Sequence, residues 1–146
     1  ATQLKKRCRK WFVRNGRFYD ALAQTTPSQL GAAMALLTGT AAPAEADKLL
    51  EEMIARSLNE RDDHEVGEMV LASPFMHHYI FESLGGNGRT QALLDIIKRR
   101  WGRWVRQGCP TTWENWNVDF PDGSECHAFS AHPRYHLAKI FNKKSG

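Results

Sequence analysis

The chain has 146 residues, 42% of them hydrophobic and 10% aromatic, which is the size of a single domain with enough apolar matter for a sizeable core. Its net charge of +4 leaves nucleic acid and anionic surfaces open as partners, yet the basic residues are interleaved with Glu and Asp along the chain. No run of about 18 apolar residues exists, which excludes a membrane-spanning helix, and the opening Ala1-Thr2-Gln3-Leu4-Lys5-Lys6 is too polar for the apolar core of a secretory signal.

Leu4, Cys8, Trp11 and Phe12 recur at i, i+4, i+7 and i+8, which predicts a basic helix with one apolar stripe that stops at Asn15-Gly16. Thr26 as N-cap, with Pro27 in the first helical position, opens a second helix that turns Leu30, Ala33, Met34 and Leu37 inward and ends at Gly39. Pro43 opens a third, where Leu49, Leu50, Met53, Ile54, Ser57 and Leu58 form a wide buried stripe, closed by Arg61-Asp62-Asp63-His64. Ser73 and Pro74 start a fourth, presenting Met76, Tyr79, Ile80 and Leu84 before Gly85-Gly86-Asn87-Gly88 forces a turn. A fifth runs from Thr90 to Gly108 and carries Leu93, Leu94, Ile96, Ile97, Trp101, Trp104 and Val105. The last begins near Pro133, buries Leu137, Ile140 and Phe141, and frays into Lys143-Lys144-Ser145-Gly146. Strand patterns are almost absent. The expectation is an all-α fold, antiparallel helical hairpins in one domain over residues 1–146.

The densest basic clusters, Lys5-Lys6-Arg7-Arg9-Lys10 and Lys98-Arg99-Arg100-Arg103-Arg106, read as solvated helix faces rather than a nucleic-acid surface. Three cysteines, Cys8, Cys109 and Cys126, cannot all pair within one chain, which favours reduced thiols and a cytoplasmic setting. A chain that opens without Met in helical composition also fits an excised or processed piece of a longer protein.

The segment from Gly108 to about Ser130 breaks the helical pattern and is long and aromatic, holding Trp113, Trp116 and Phe120 with Glu114, Asp119, Asp122, Glu125 and His127. In Gly108-Cys109-Pro110-Thr111-Thr112-Trp113-Glu114-Asn115-Trp116 one carboxylate lies between two indoles. Indole faces stack on the apolar face of a pyranose, and a carboxylate beside them can transfer a proton near neutral pH. The same spacing also fits Trp113 and Trp116 as core anchors with Glu114 solvated between them. Cys126, His127, His132 and His136 suggest a zinc clip, but Pro133 interrupts the His132–His136 pair and no second Cys lies near Cys126, so no metal and no cofactor are assigned. His77 and His78 point about 100 degrees apart on a helix and cannot both face one ligand.

On these residues the chain resembles the catalytic domain of α-L-rhamnosidases, inverting glycosidases built on the six-hairpin (α/α)6 toroid. The family's Gly-x-Thr-Thr-x-Trp-Glu motif, which carries the general base, is matched by Gly108, Thr111, Trp113 and Glu114, with Pro110 in place of the first Thr. Its later Ser-Leu-Asn-His segment, whose His contacts sugar, is matched by the Ser and His of Ser124-Glu125-Cys126-His127. Thr26-Pro27-Ser28-Gln29 looks like its Thr-x-Thr/Ser-Gln helix start, and Ser73-Pro74-Phe75 through Leu84-Gly85-Gly86 like one of its hairpins.

The resemblance implies Glu114 as catalytic base and Trp113, Trp116 and His127 as binding residues for a carbohydrate substrate. Nothing here matches the family's general acid. A full toroid of twelve helices, at about 11–14 residues each plus loops, needs well over about 300 residues, and the chain, less than half of that, is expected to be its C-terminal half. On its own that half is expected to be inactive, and to self-associate or require its N-terminal half. The alternative is a non-catalytic helical module that binds a protein or a sugar.

Overall fold

The computed structural model of the chain describes residues 1–117 and 123–142. Among these residues it is all-α apart from one two-stranded hairpin, and the helices group into two compact units, Ala1–Ala72 and Ser73–Gly146.

The first unit opens with α1 (Thr2–Phe12), followed by β1 (Val13–Arg14) and β2 (Arg17–Phe18). Asn15 and Gly16 have φ of 52° and 73°, the pair of left-handed residues that a two-residue hairpin turn needs. The dipeptide that stops the helix therefore also reverses the chain, a strand pair that the sequence pattern was too short to disclose. No residue of α1 is buried, and Leu4 and Trp11 are exposed. Its Arg9 reaches α3 (Pro43–Leu58), donating to both carboxylate oxygens of Glu45 at 2.7 and 2.8 Å, so this member of the basic cluster is neutralised by a carboxylate.

The helix α2 (Gln29–Leu37) is capped by Ser28, whose hydroxyl accepts from the Gly31 amide at 3.0 Å, and not by Thr26. The buried face is Gln29, Ala32, Ala33 and Ala35, and Met34 and Leu37 are exposed where an inward stripe was expected. Small alanines let α2 approach α3 closely. Between them Gln29, fully buried, donates to the Met53 carbonyl (2.9 Å) and Ser57 hydroxyl (2.6 Å) and accepts from the Ala72 amide (2.8 Å). In α3 the expected stripe holds at Leu49, Leu50, Met53 and Ser57, joined by a buried Arg56. Arg56 gathers the following loop by donating to the carbonyls of Met69, Arg61, Asp62 and Asp63.

In the second unit Ser73 caps a turn, its hydroxyl facing the Met76 amide, that leads into α4 (His77–Gly86). Gly88, at φ 73°, then reverses the chain into α5 (Thr90–Arg106), giving the expected hairpin. The facing sides hold Ile80, Phe81 and Leu84 against Leu93, Ile96, Trp101 and Trp104, while Val105 is exposed. Arg100, read as part of a solvated face, is buried. A 3-10 turn (Ala128–Ala131) leads into α6 (Pro133–Asn142), where Pro133 and His136 are buried, Leu137 and Ile140 half-buried, and Phe141 exposed rather than inside. The expected frayed end, Lys143 to Gly146, lies outside the described residues.

Gln29 is the sharpest test of the first unit. Replacing it with Leu removes three buried hydrogen bonds, to the Met53 carbonyl, the Ser57 hydroxyl and the Ala72 amide, a loss of about 2–4 kcal/mol. A urea midpoint close to that of the unsubstituted chain would contradict this account of α2–α3 packing.

Candidate active site

Among the described residues, the segment between α5 and the turn at Ala128 has no regular secondary structure to hold it, so its conformation depends on side chains and on backbone pairing. Gly108, at φ 74°, ends α5 and turns the chain back. Thr112 and His127 then face each other: the His127 amide donates to the Thr112 carbonyl at 2.7 Å and the Thr112 hydroxyl to the His127 carbonyl at 2.9 Å. Glu114 and Ser124 pair likewise, the Glu114 amide donating to the Ser124 carbonyl at 2.9 Å. The Thr111 hydroxyl also bonds the Glu125 carbonyl. The motif around Glu114 and the segment ending at His127, ten and more residues apart in sequence, are thereby zipped side by side.

The Glu114 side chain is half-buried and one carboxylate oxygen accepts the Ser124 amide at 3.0 Å. Among the described residues that amide is the one donor on the carboxylate, which leaves it further lone pairs. Trp113 is half-buried, and its indole N–H has no partner among the described residues. His127 is half-buried beside Phe75 and Phe129, with ring centroids 6.5 and 5.6 Å away. These two phenylalanines were not recognised as site residues from sequence. Phe75 had been noted only as part of a helix start, and nothing local marks Phe129, which is largely exposed.

Trp116 has a different place. It is buried, its ring centroid 4.8 Å from that of Trp101 at 90° and 5.4 Å from that of Trp104 in a stacked arrangement, with the His77 ring at 5.0 Å and the Arg100 guanidinium at 5.4 Å. Its surroundings are those of a core anchor, the reading its spacing with Trp113 allowed. Arg103 donates to the Trp116 carbonyl, and Trp101 donates its indole N–H to the Ser130 carbonyl at 2.8 Å, so α5 grips both ends of the loop. Asp119, Asp122 and Phe120 lie outside the described residues. Glu125 and Cys126 are exposed.

Behind the loop lies a histidine group. His132 and His136, a helical turn apart, are joined by His78 of α4, with no part played by Cys126 or His127. Burial pushes the His132 imidazole down to about 4, against a hydrogen bond to the Pro74 carbonyl that favours its charged form. Burial likewise lowers His136 to about 4, helped by the charges of His132 and His78. Burial works to raise Glu82, but the Lys139 ammonium on its oxygens at 3.0 and 2.9 Å, with the nearby histidines, holds it below the usual carboxylate range. His77 is fully buried, with Nδ1 3.0 Å from the Ser73 carbonyl, a satisfied core histidine.

Residues 1–140 match the family described as the bacterial alpha-L-rhamnosidase 6 hairpin glycosidase domain, and the chain belongs to that family. Among solved structures it is similar to a rhamnosidase from Klebsiella oxytoca with rhamnose bound, at 20% sequence identity and a TM-score of 0.70. That similarity covers 95% of this chain and 27% of the Klebsiella chain, so the present chain spans about a quarter of its relative, and at this identity the likeness shows the fold alone. No curated protein sequence matches the chain. No helix among the described residues is long and apolar enough to cross a membrane.

Because His132 and His136 titrate near 4 when folded and near 6.5 when unfolded, the unfolded chain binds more protons between these values. Stability present above pH 6.5 is therefore lost as the pH falls and is fully lost near pH 4. Urea midpoints should decline through this window and decline less in His132→Gln/His136→Gln; a flat profile would remove the buried neutral histidines from the account.

Proposed function

We propose that the chain is the C-terminal part of the catalytic domain of an inverting glycoside hydrolase acting on terminal α-L-rhamnosides, and that Glu114 is its general base. The observation that carries this reading is the pairing of Thr112 with His127 and of Glu114 with Ser124, which sets the family's two sequence landmarks side by side. A base and a sugar-contacting imidazole must act on one ring, and this pairing provides their adjacency.

In the reaction, a water positioned by Glu114 is deprotonated as it attacks the anomeric carbon, while a carboxylic acid on the other side of the sugar protonates the departing oxygen. The configuration inverts because both events occur in one displacement. The acid belongs to a part of the parent protein outside this chain. His127 binds a hydroxyl group of the substrate, Trp113 shapes the sugar site beside Glu114, and Phe75 and Phe129, which neighbour His127, offer apolar surface for the sugar's C–H face. Trp116 holds the loop in shape from beneath. The exposed apolar side chains Leu4 and Trp11 on a helix with no buried residue support a missing neighbour, supplied by the rest of the parent domain or by a second copy.

A non-catalytic role in carbohydrate or protein binding would use the same loop without proton transfer. Glu114→Gln in the parent enzyme separates the two readings, since it keeps size and hydrogen bonding and removes only the basic site. Sugar binding should persist while kcat falls by about 10²–10⁴. Azide, which needs no deprotonation, should restore part of the rate with an activated rhamnoside and give the β-glycosyl azide. Near-normal kcat would make Glu114 structural.

A further inference from the structure

Among the described residues, His78, His132 and His136 bring one ligand nitrogen each to within 4.8 Å of one another. His78 Nδ1 lies 3.2 Å from His136 Nε2, close to the roughly 3.3–3.4 Å that separates two imidazole nitrogens on a tetrahedral ion with bonds of about 2.0–2.1 Å. That single contact would also suit a hydrogen bond. His132 decides between the two readings. Its Nε2 lies 2.8 Å from the Pro74 carbonyl, which can only accept, so Nε2 carries the proton and Nδ1 presents a lone pair. That Nδ1 is buried and has no hydrogen-bond partner among the described residues. A histidine cluster closed by hydrogen bonds leaves no such nitrogen, whereas a metal site requires it.

The surroundings fit an ion as well. A ligating imidazole is held in one tautomer by a backbone carbonyl or a carboxylate on its other ring nitrogen. His132 has the Pro74 carbonyl there, and His136 Nδ1 faces Glu82 Oε1 at 3.7 Å. An open groove lined by Phe75, His78, Phe129, His132 and Tyr135 gives an ion a path from solvent. Three imidazoles without a thiolate suit zinc-class divalent ions better than calcium or magnesium, which take oxygen ligands.

We propose that His78, His132 and His136 form a three-histidine site for a divalent transition-metal ion of the zinc class, joining α4 to α6 and leaving a fourth coordination position for water or a small ligand. The site is separate from the proton transfer assigned to Glu114 and does not depend on it. Two of its ligands come from one helical turn and the third from a helix more than fifty residues earlier, a spacing that no short motif encodes.

The test is titration of the tag-free, EDTA-treated protein with Co²⁺ and, in parallel, Zn²⁺ followed by metal analysis and thermal unfolding. One equivalent of Co²⁺ should give the visible absorption of a tetrahedral site without thiolate-to-metal charge-transfer bands, and Zn²⁺ should displace it and raise the Tm. His78→Ala should abolish stoichiometric binding, Glu82→Gln should weaken it about 10–100-fold, and Cys126→Ser should leave it unchanged. Should His78→Ala fail to fold, the wild-type cobalt spectrum still decides. Absence of a stoichiometric tetrahedral spectrum, the appearance of thiolate bands, or binding that survives in folded His78→Ala would overturn the site.

Discussion

An irregular segment can place a catalytic group only if something fixes its backbone, and here the constraint is the Trp116 indole packed against Trp101 and Trp104 of α5. Aromatic pairs of this geometry contribute about 0.5–1.5 kcal/mol each beyond the area they bury, which together with that burial offsets part of the cost of ordering the loop. With Trp116 seated, the chain on either side of it is restricted, and the pairing of Glu114 with Ser124 and Thr112 with His127 becomes a local matter of matching donors and acceptors. The helices of the second unit thus serve the loop. Their aromatic side is the floor for the loop that carries the proposed base, Glu114.

The same logic explains the burial of Arg100. A guanidinium within an indole cluster loses hydration, but its face against the Trp116 ring at 5.4 Å recovers part of that loss and keeps the planar groups stacked. In the first unit the equivalent device is polar. Gln29 spends both ends of its amide on α3 and the Ala72 backbone, and Arg56 on four carbonyls of one loop. Each is a long side chain that reaches backbone groups outside its own helix.

Much of this architecture was legible in the sequence where a single physical signal dominated. Proline at the first turn and paired apolar residues fixed α3, and the Gly-rich turn fixed the α4–α5 reversal. The errors fall where two signals compete. Thr26-Pro27 reads as a cap, but Ser28 offers a hydroxyl at the position where the helix begins, and the alanine face rather than Met34 and Leu37 packs inward. Asn15-Gly16 marks either a helix stop or a hairpin, and with strands two residues long no alternation could reveal the second. Arg100 was hidden inside a run of positive charge, because composition gives no account of which helix face an individual arginine occupies. At the candidate site, Glu114, Trp113 and His127 are marked by their motif, whereas the packing of Phe75 and Phe129 beside His127 and the meeting of His78 with His132 and His136 are products of tertiary structure.

The central claim is that this loop presents Glu114 to the anomeric carbon of a rhamnoside. The most direct measurement is a structure of the full parent protein with rhamnose in the site. The account predicts a Glu114 oxygen reaching the anomeric carbon through one water, a second carboxyl group from outside this chain roughly 6.5–9.5 Å away, and His127 on a ring hydroxyl. A sugar bound beside some other carboxylate, with Glu114 still turned to the Ser124 amide and no water between it and the anomeric carbon, would contradict it.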